Sequence, residues 1–414
     1  MNERPYDLVL FGATGFTGAL VAHYLARHPE RGQLRWALAG RSQAKLEAVR
    51  AELADAVGGL ATLPILIGDA LELAAMARIA AQTKVVCTTT GPYARYGSAL
   101  VEACAAAGTA YCDLTGEVPW MRRMIDAHHD RAVATGARIV HTCGFDSIPS
   151  DLGTWALQQE MIARFGAPAT SVTAFFGETK GGASGGTIAS MMTIAEELAA
   201  DPGLRRLMAN PYALDPATDV VRPQVKDVRT IGYDKRLGMI TAPFFMADVN
   251  TRVVRRGHAL AGFPWGAGFQ YAELMSAPRS ARGLAIAATM TAGLGGMLLA
   301  MASRPLREAL GRRLPQPGEG PDQRTRERGY FTVRLLGEIE GRPDASLRYR
   351  VSDHADPGYG STSKMLGEAA LCLALDELPR RGGCLTPSVA MGGKLVERLR
   401  TAGLTFAPDQ PVTA

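Results

Sequence analysis

Three glycines carry the first chemical signal. Phe11-Gly12-Ala13-Thr14-Gly15-Phe16-Thr17-Gly18 holds them at GxxGxxG spacing, directly after the apolar run 7–11. Gly12 allows a tight turn. Gly15 lets the main chain approach a pyrophosphate, whose charge then meets the free N–H groups at a helix start. Gly18 lets that helix lie close to the strand, and Thr14, Phe16 and Thr17 complete the loop. A glycine triplet alone is a weak signal. This one sits between a strand and a helix, the context a dinucleotide site requires. The blander reading is a glycine-rich turn that binds nothing.

The second strand decides which dinucleotide. An acid at its end would take the ribose hydroxyl of NAD. Here Ala39-Gly40-Arg41-Ser42 has no acid, and Lys45 follows one turn later. Arg41, Ser42 and Lys45 can pair with a 2′-phosphate, which selects NADP(H). The alternative is that Arg41 is a solvated surface residue. Asp69, after the third strand, is expected at the adenine ring. Gly91 and Pro92, in Thr90-Gly91-Pro92-Tyr93, are expected beneath the nicotinamide. Thr115 and Gly144, after the fifth and sixth strands, are expected at its ribose and amide.

Hydride chemistry also needs a proton source and a group that polarises the substrate. Tyr93 either serves there or packs under the cofactor. Asp113, with Thr115 and Glu117, either acts at the ligand end of the sheet or caps the next helix. Asp146, with Ser147, either donates a proton or caps the helix near Pro149. Cys143 is not expected to be a nucleophile, because hydride transfer needs none. A second glycine-rich stretch, Lys180 followed by residues 181–187, reads either as a substrate-facing loop or as a domain hinge. Its lysine precedes the glycines, so it is not a P-loop. No His or Cys pair has metal-ligand spacing, and no metal is expected.

Positioning these groups takes alternating strands and helices. Apolar runs at 7–11, 35–39, 63–67, 84–88, 109–114 and 138–141 read as strands, with helices at 19–27, from Ser42, at 98–107 and from Pro119. That order predicts an α/β fold: a Rossmann-type doubly wound parallel sheet with an inserted α+β second domain. Residues 1–150, completed by helices within 353–414, form the nucleotide domain. Residues 151–352 form the substrate and dimerisation domain, with strands expected at 170–177, 239–241, 249–254, 330–336 and 346–351 and a linker at 315–320.

The chain's 414 residues exceed one ordinary core, which favours two or three domains. At 47% hydrophobic and 21% charged, disordered and disulfide-scaffold classes are excluded. The net charge of +5 is mild, and no basic run interleaves with aromatics, so no nucleic-acid partner is expected. Six scattered cysteines and a start without a signal-peptide pattern lead us to expect a cytoplasmic protein with reduced thiols. Residues 283–303 carry no charge, with Arg279, Arg282, Arg304 and Arg307 flanking them. Three readings stand: a buried or subunit-interface helix, a helix lying on a membrane or lining an acyl pocket, or a membrane span.

Taken together, several motifs resemble the saccharopine dehydrogenase-like oxidoreductases. They are 11–18, Thr90-Gly91-Pro92-Tyr93, Tyr111-Cys112-Asp113-Leu114-Thr115-Gly116-Glu117, and Cys143-Gly144-Phe145-Asp146-Ser147-Ile148-Pro149-Ser150-Asp151. Asp356-Pro357-Gly358-Tyr359-Gly360-Ser361-Thr362-Ser363-Lys364-Met365 and Gly382-Gly383-Cys384-Leu385-Thr386-Pro387 extend the likeness nearly end to end. The branch they resemble holds the trans-acting enoyl reductases of lipid synthesis. The resemblance implies an NADP(H)-dependent enoyl reductase acting on a lipophilic or polyketide-type, carrier-bound acyl substrate. Two alternatives remain: a saccharopine-type dehydrogenase acting on an amino-acid adduct, and a lipid-surface protein whose nucleotide domain is not catalytic. Peripheral membrane contact and a homodimer are further expectations.

Overall fold

The computed structural model describes residues 4–181, 185–311 and 319–409. The expectations for 182–184 of the second glycine-rich stretch, for 315–318 of the linker, and for the chain ends at 1–3 and 410–414 lie outside the described residues. Six strands alternate with helices over the first 140 residues: β1 (Tyr6–Phe11), β2 (Trp36–Gly40), β3 (Ile65–Ile67), β4 (Thr83–Thr88), β5 (Ala110–Cys112) and β6 (Arg138–Val140). Most are near-continuous apolar runs, as strands covered on both faces must be. After helix Ile148–Phe165 come β7 (Ser171–Lys180), β8 (Gly232–Asp234), β9 (Met239–Pro243), β10 (Gln270–Ala277), β11 (Tyr330–Ile339) and β12 (Arg342–Asp353). Two short strands follow, β13 (Gly383–Leu385) and β14 (Thr405–Pro408).

The first sheet runs β13-β6-β5-β4-β1-β2-β3, and every pairing is parallel. The chain builds outward from β1 to β3, then crosses back to β4 and builds the other way. The crevice between the ends of β1 and β4 is therefore the switch point where such sheets bind ligands. The doubly wound α/β fold is the one expected. Helices Leu73–Ala81, Ser98–Ala107 and Val118–Thr135 cover one face, through Met76, Leu100, Val101 and Trp120. Helices Phe16–Arg27, Gln43–Val57 and Thr362–Leu375 cover the other, through Val21, Leu25, Leu46, Leu53, Leu366 and Ala369.

The second sheet runs β14-β12-β11-β7-β10-β9-β8. Only β7 and β10 pair in parallel; the rest is antiparallel. Helix Ile148–Phe165 packs on it, and Val333, Leu335 and Val351 share one apolar cluster with Leu8 and Leu10 of the first sheet. The C-terminal region divides between the two sheets. β13 extends the first beside β6, whereas β14 extends the second beside β12.

Two expectations are corrected. Residues 249–254, expected as a strand, lie inside helix Ala247–Leu260. The β-branched valines and threonine favour a strand only weakly, by less than ~1 kcal/mol each. The helix instead aligns Arg252, Arg255 and Arg256 at i, i+3 and i+4, where buried carbonyls receive them. The apolar run 283–303 falls in helix Ala281–Ala302, which is not buried in this chain: only 12% of its most apolar window is covered. All six cysteines are buried and free.

Candidate active site

Gly12 has φ of +90°, a conformation L side chains rarely adopt, and a methyl group there would collide with the Thr90 hydroxyl. At Gly18 a methyl group would strike the Gly12 carbonyl, so the helix can start this close to β1 only with glycine. Thr89 Oγ1 donates to that same carbonyl at 3.2 Å, fixing the loop to the end of β4. Gly15 is the N-cap of helix Phe16–Arg27 and offers no side chain to it. The first N–H groups of the helix are thus left for an anion. Thr14 and Gly15 are exposed, and Phe16 and Thr17 are half-buried.

Arg41 and Lys45 are exposed, and neither has a hydrogen-bond or ion-pair partner among the described residues. Ser42 is the N-cap of helix Gln43–Val57, yet its hydroxyl does not cap. All three stand free at the end of β2, where an adenosine ribose lies in this fold. Asp69 turns the chain after β3, accepting from the Leu71 N–H at 2.9 Å. A glycine cradle, an uncapped helix start and unpartnered cations fit NADP(H).

On the other side of the crevice, most polar groups are already satisfied. Gly91 and Pro92 lead into the short helix Tyr93–Tyr96. Tyr93 is buried; its hydroxyl donates to the Thr88 carbonyl at 3.2 Å and accepts from the Leu114 N–H at 3.4 Å. Its ring lies 5.5 Å from that of Trp120. Burial raises the phenol well above its ordinary range, so it supports the β4 and β5 loops rather than reaching into the crevice. Glu117 holds those loops together, accepting from the Tyr93 and Ala94 N–H groups at 2.8 and 2.7 Å and from Ser190 Oγ at 2.8 Å.

Asp113 is fully buried, and four donors occupy its oxygens. The Thr115 and Thr142 N–H groups bond Oδ1, both at 3.1 Å; Tyr111 Oη and His141 Nδ1 bond Oδ2 at 2.9 and 2.7 Å. It ties β5 to β6 and holds Thr142 at φ +63°, a strained value for a β-branched residue. The Thr115 hydroxyl accepts from the Glu117 N–H at 3.1 Å, an internal turn.

Asp146 differs from all of these. It caps nothing: Ser147 is the N-cap of helix Ile148–Phe165, and the Ser147 hydroxyl donates to Asn250 Oδ1 at 3.0 Å. The Asp146 carboxyl bonds its own backbone N–H and no other side chain among the described residues. Burial, with a smaller push from Asp113, raises it to about 7. A methyl group on Gly144 would come within 2.9 Å of Asp146 Oδ2. One on Gly116 would lie 3.5 Å from Met246 Cε and 4.0 Å from Asp146 Oδ1. The carboxyl therefore stands between the ends of β5 and β6. Next to it, the Phe145 ring packs edge-on to Phe331 at 4.8 Å and to Phe176 at 6.1 Å, and Phe176 stacks on Phe244 at 3.8 Å. This aromatic cluster belongs to the core that joins Phe145 to the second sheet.

Several partners here lie far apart in sequence and were not anticipated. Phe16 of the glycine loop meets Tyr359 edge-on at 5.2 Å, and the Arg326 guanidinium sits 5.5 Å over its ring. Tyr359 Oη and Thr187 Oγ1 are 3.0 Å apart, and Asp356 packs against Gly181. The described ends of the second glycine-rich stretch therefore close over the first. Behind Ser147, Asn250 Nδ2 donates to Glu273 Oε2 at 3.0 Å and Tyr271 Oη to Oε1 at 2.7 Å. Burial pushes that glutamate up to about 7.

Residues 8–140 match the family described as the saccharopine dehydrogenase NADP binding domain. A Mycobacterium tuberculosis protein provisionally named a trans-acting enoyl reductase is 43% identical over 98% of both chains. The trans-acting enoyl reductase of Mycobacterium ulcerans is 39% identical, again over 98% of both. Among solved structures, the apo saccharopine dehydrogenase (L-Glu forming) of Saccharomyces cerevisiae superposes with a TM-score of 0.51 at 13% identity, covering 98% of this chain and 99% of that one. That likeness concerns the fold alone. With nearly its whole length aligned to such relatives, the chain belongs to the saccharopine dehydrogenase-like family of NADP(H)-dependent oxidoreductases, in the branch that holds the trans-acting enoyl reductases.

Proposed function

We propose that the protein reduces the activated double bond of a lipophilic or polyketide-type enoyl thioester. The observation that carries this reading is the Asp146 carboxyl: near-neutral, free of other side chains and set at the nicotinamide end of the sheet. When bound, NADPH supplies a hydride to the β-carbon. The α-carbon then needs one proton, and the product gains two hydrogens in all. Asp146, with its carboxyl at about 7, is protonated often enough at neutral pH to give that proton and to recover it from water. Tyr93 and Asp113 hold the loops on either side in place.

A saccharopine-type adduct would require cations for several carboxylates. The arginines that the middle region buries are engaged elsewhere. Arg252 pairs with Asp227 at 2.6 and 2.8 Å, Arg255 bonds the Pro211 and Tyr271 carbonyls, and Arg256 bonds those of Leu214 and Cys384.

The test follows nicotinamide absorbance with trans-2-enoyl thioesters of increasing chain length, and separately with saccharopine and NADP+. Turnover that improves with chain length is expected. Asp146→Asn should lower kcat ~10²–10⁴-fold, the usual worth of a positioned general acid, while NADPH affinity stays the same. Oxidation of saccharopine without enoyl turnover would move the substrate to amino-acid adducts. NADPH binding with neither turnover would leave a non-catalytic nucleotide-binding protein.

A further inference from the structure

We infer that helix Ala281–Ala302 and the helix after it, Arg304–Gly311, seat the protein on the surface of an anionic phospholipid bilayer. The first helix has 22 residues, and its most apolar window has a mean hydropathy of 1.8. It touches the body through one stripe: Gly283, Ala287 and Met301 are buried, while most described side chains around them are exposed. Leu284 is 52% exposed, Ile286 41%, Met290 39% and Leu299 74%; Leu306 in the second helix is 55% exposed. A helix that faces water normally carries a charged face. This one carries no charge at any position from 283 to 303, so its open sides require an apolar neighbour.

Charge and size identify that neighbour. No Asp or Glu occurs from 274 to 307, and Arg279 and Arg282 stand exposed at the start of the first helix; at its other end Arg307 is buried, donating to the Met301 carbonyl at 2.7 Å, and Glu308 follows it. Arg279 lies over the ring of Tyr233 at 5.3 Å, and that tyrosine is itself exposed. An apolar strip with exposed arginines and an amphipathic aromatic at its start matches the layering of a bilayer surface, with acyl chains beneath anionic headgroups. A second copy of the chain is a poorer match. A helix ~33 Å long and ~10 Å wide offers roughly 330 Å², well below the ~800 Å² per partner of a stable interface. A membrane span is also a poorer match, because the buried stripe is packed on β9, β10 and helix Gly185–Ala200.

That last contact gives the surface its use. Helix Gly185–Ala200 also carries Ser190, bonded to Glu117, and Thr187, bonded to Tyr359. The proposed lipid face is therefore one helix away from the loops that frame the NADP(H) crevice.

The experiment is vesicle flotation of the full chain, using phosphatidylcholine with and without phosphatidylglycerol. The wild type should float with the anionic vesicles and far less with the neutral ones. Arg279→Gln with Arg282→Gln should weaken binding roughly fivefold per arginine, the usual worth of a basic residue near such a surface. Leu284→Glu with Met290→Glu, both at exposed positions, should abolish flotation while NADPH titration stays as in the wild type. Three results would overturn the inference: wild type that floats with neither vesicle, an oligomer in light scattering that the double glutamate variant converts to monomer, or membrane-bound protein that alkaline carbonate fails to release. Each readout is binding or assembly and stands apart from catalysis.

Discussion

Two regions hold most of the consequential polar groups, and they treat them oppositely. Around helix Ala247–Leu260, Arg252, Arg255, Arg256, Asn250 and Glu273 are buried, and they bond an acid, carbonyls, hydroxyls or one another. At the ligand ends of the first sheet, Arg41 and Lys45 have no partner among the described residues, and Asp146 has only its own backbone N–H. A buried ion pair holds structure, because losing one member strands the other. A group left without a partner in a built crevice is available to a ligand. The same residue type, arginine, thus signifies architecture in one region and recognition in the other.

The contrast breaks first, if it breaks, at Arg252. Replacing it with Ala leaves Asp227 only the looser pair with Arg229 at 3.6 Å and strands the Met208 carbonyl, and should destabilise the protein by ~3 kcal/mol in denaturant titration. A loss below about 1 kcal/mol would mean that the buried arginines are not structural. Arg41→Ala should leave stability intact and weaken NADPH binding by ~1.5–3 kcal/mol, roughly 10–150-fold, with NADH little affected. Equal losses for both nucleotides would remove the 2′-phosphate from its reach.

Asp146 sharpens the comparison through pH. Its folded value of about 7 lies above the ordinary carboxyl value of 3.8. The native state therefore holds the proton more tightly than the unfolded chain. The stability this contributes is complete below about pH 4 and is lost as pH rises through 7. Asp146→Asn, which cannot ionise, should melt close to the wild type below about pH 4 and ~2–4 °C above it at pH 8. The smallest effect is expected at Lys45. Its replacement by Ala should cost NADPH affinity about threefold, as an exposed point charge usually does, and leave the melting temperature unchanged.

How much of this was legible follows from how local each signal is. Parallel strands covered on both faces show as apolar runs, so β1, β2 and β4 stood out, as did helix Ser98–Ala107. The glycine loop and Arg41 were readable because their function depends on neighbours a few residues away. Asp146 was readable as a candidate, but capping was the stronger claim until Ser147 proved to hold the cap position. Helix Ala247–Leu260 was misread because its valines follow strand propensity, while carbonyls around residues 208–214, some forty positions away, decide its form. β13 has three residues, too few for any period to register. Arg326 and Tyr359 over Phe16 join segments more than three hundred residues apart, and nothing local announces them.

The division of the C-terminal region has a consequence for how the protein is made. Synthesis delivers β1 to β6 early, yet the free edge of β6 is closed only by β13, after the whole second sheet except β14 has emerged. Helix Thr362–Leu375, whose Gly367 packs on Tyr24 of the glycine-loop helix, arrives equally late. An open parallel edge invites wrong pairing. The nascent nucleotide domain must wait through some 240 residues of synthesis with that edge open and one face only partly covered, when a chaperone has most reason to bind it.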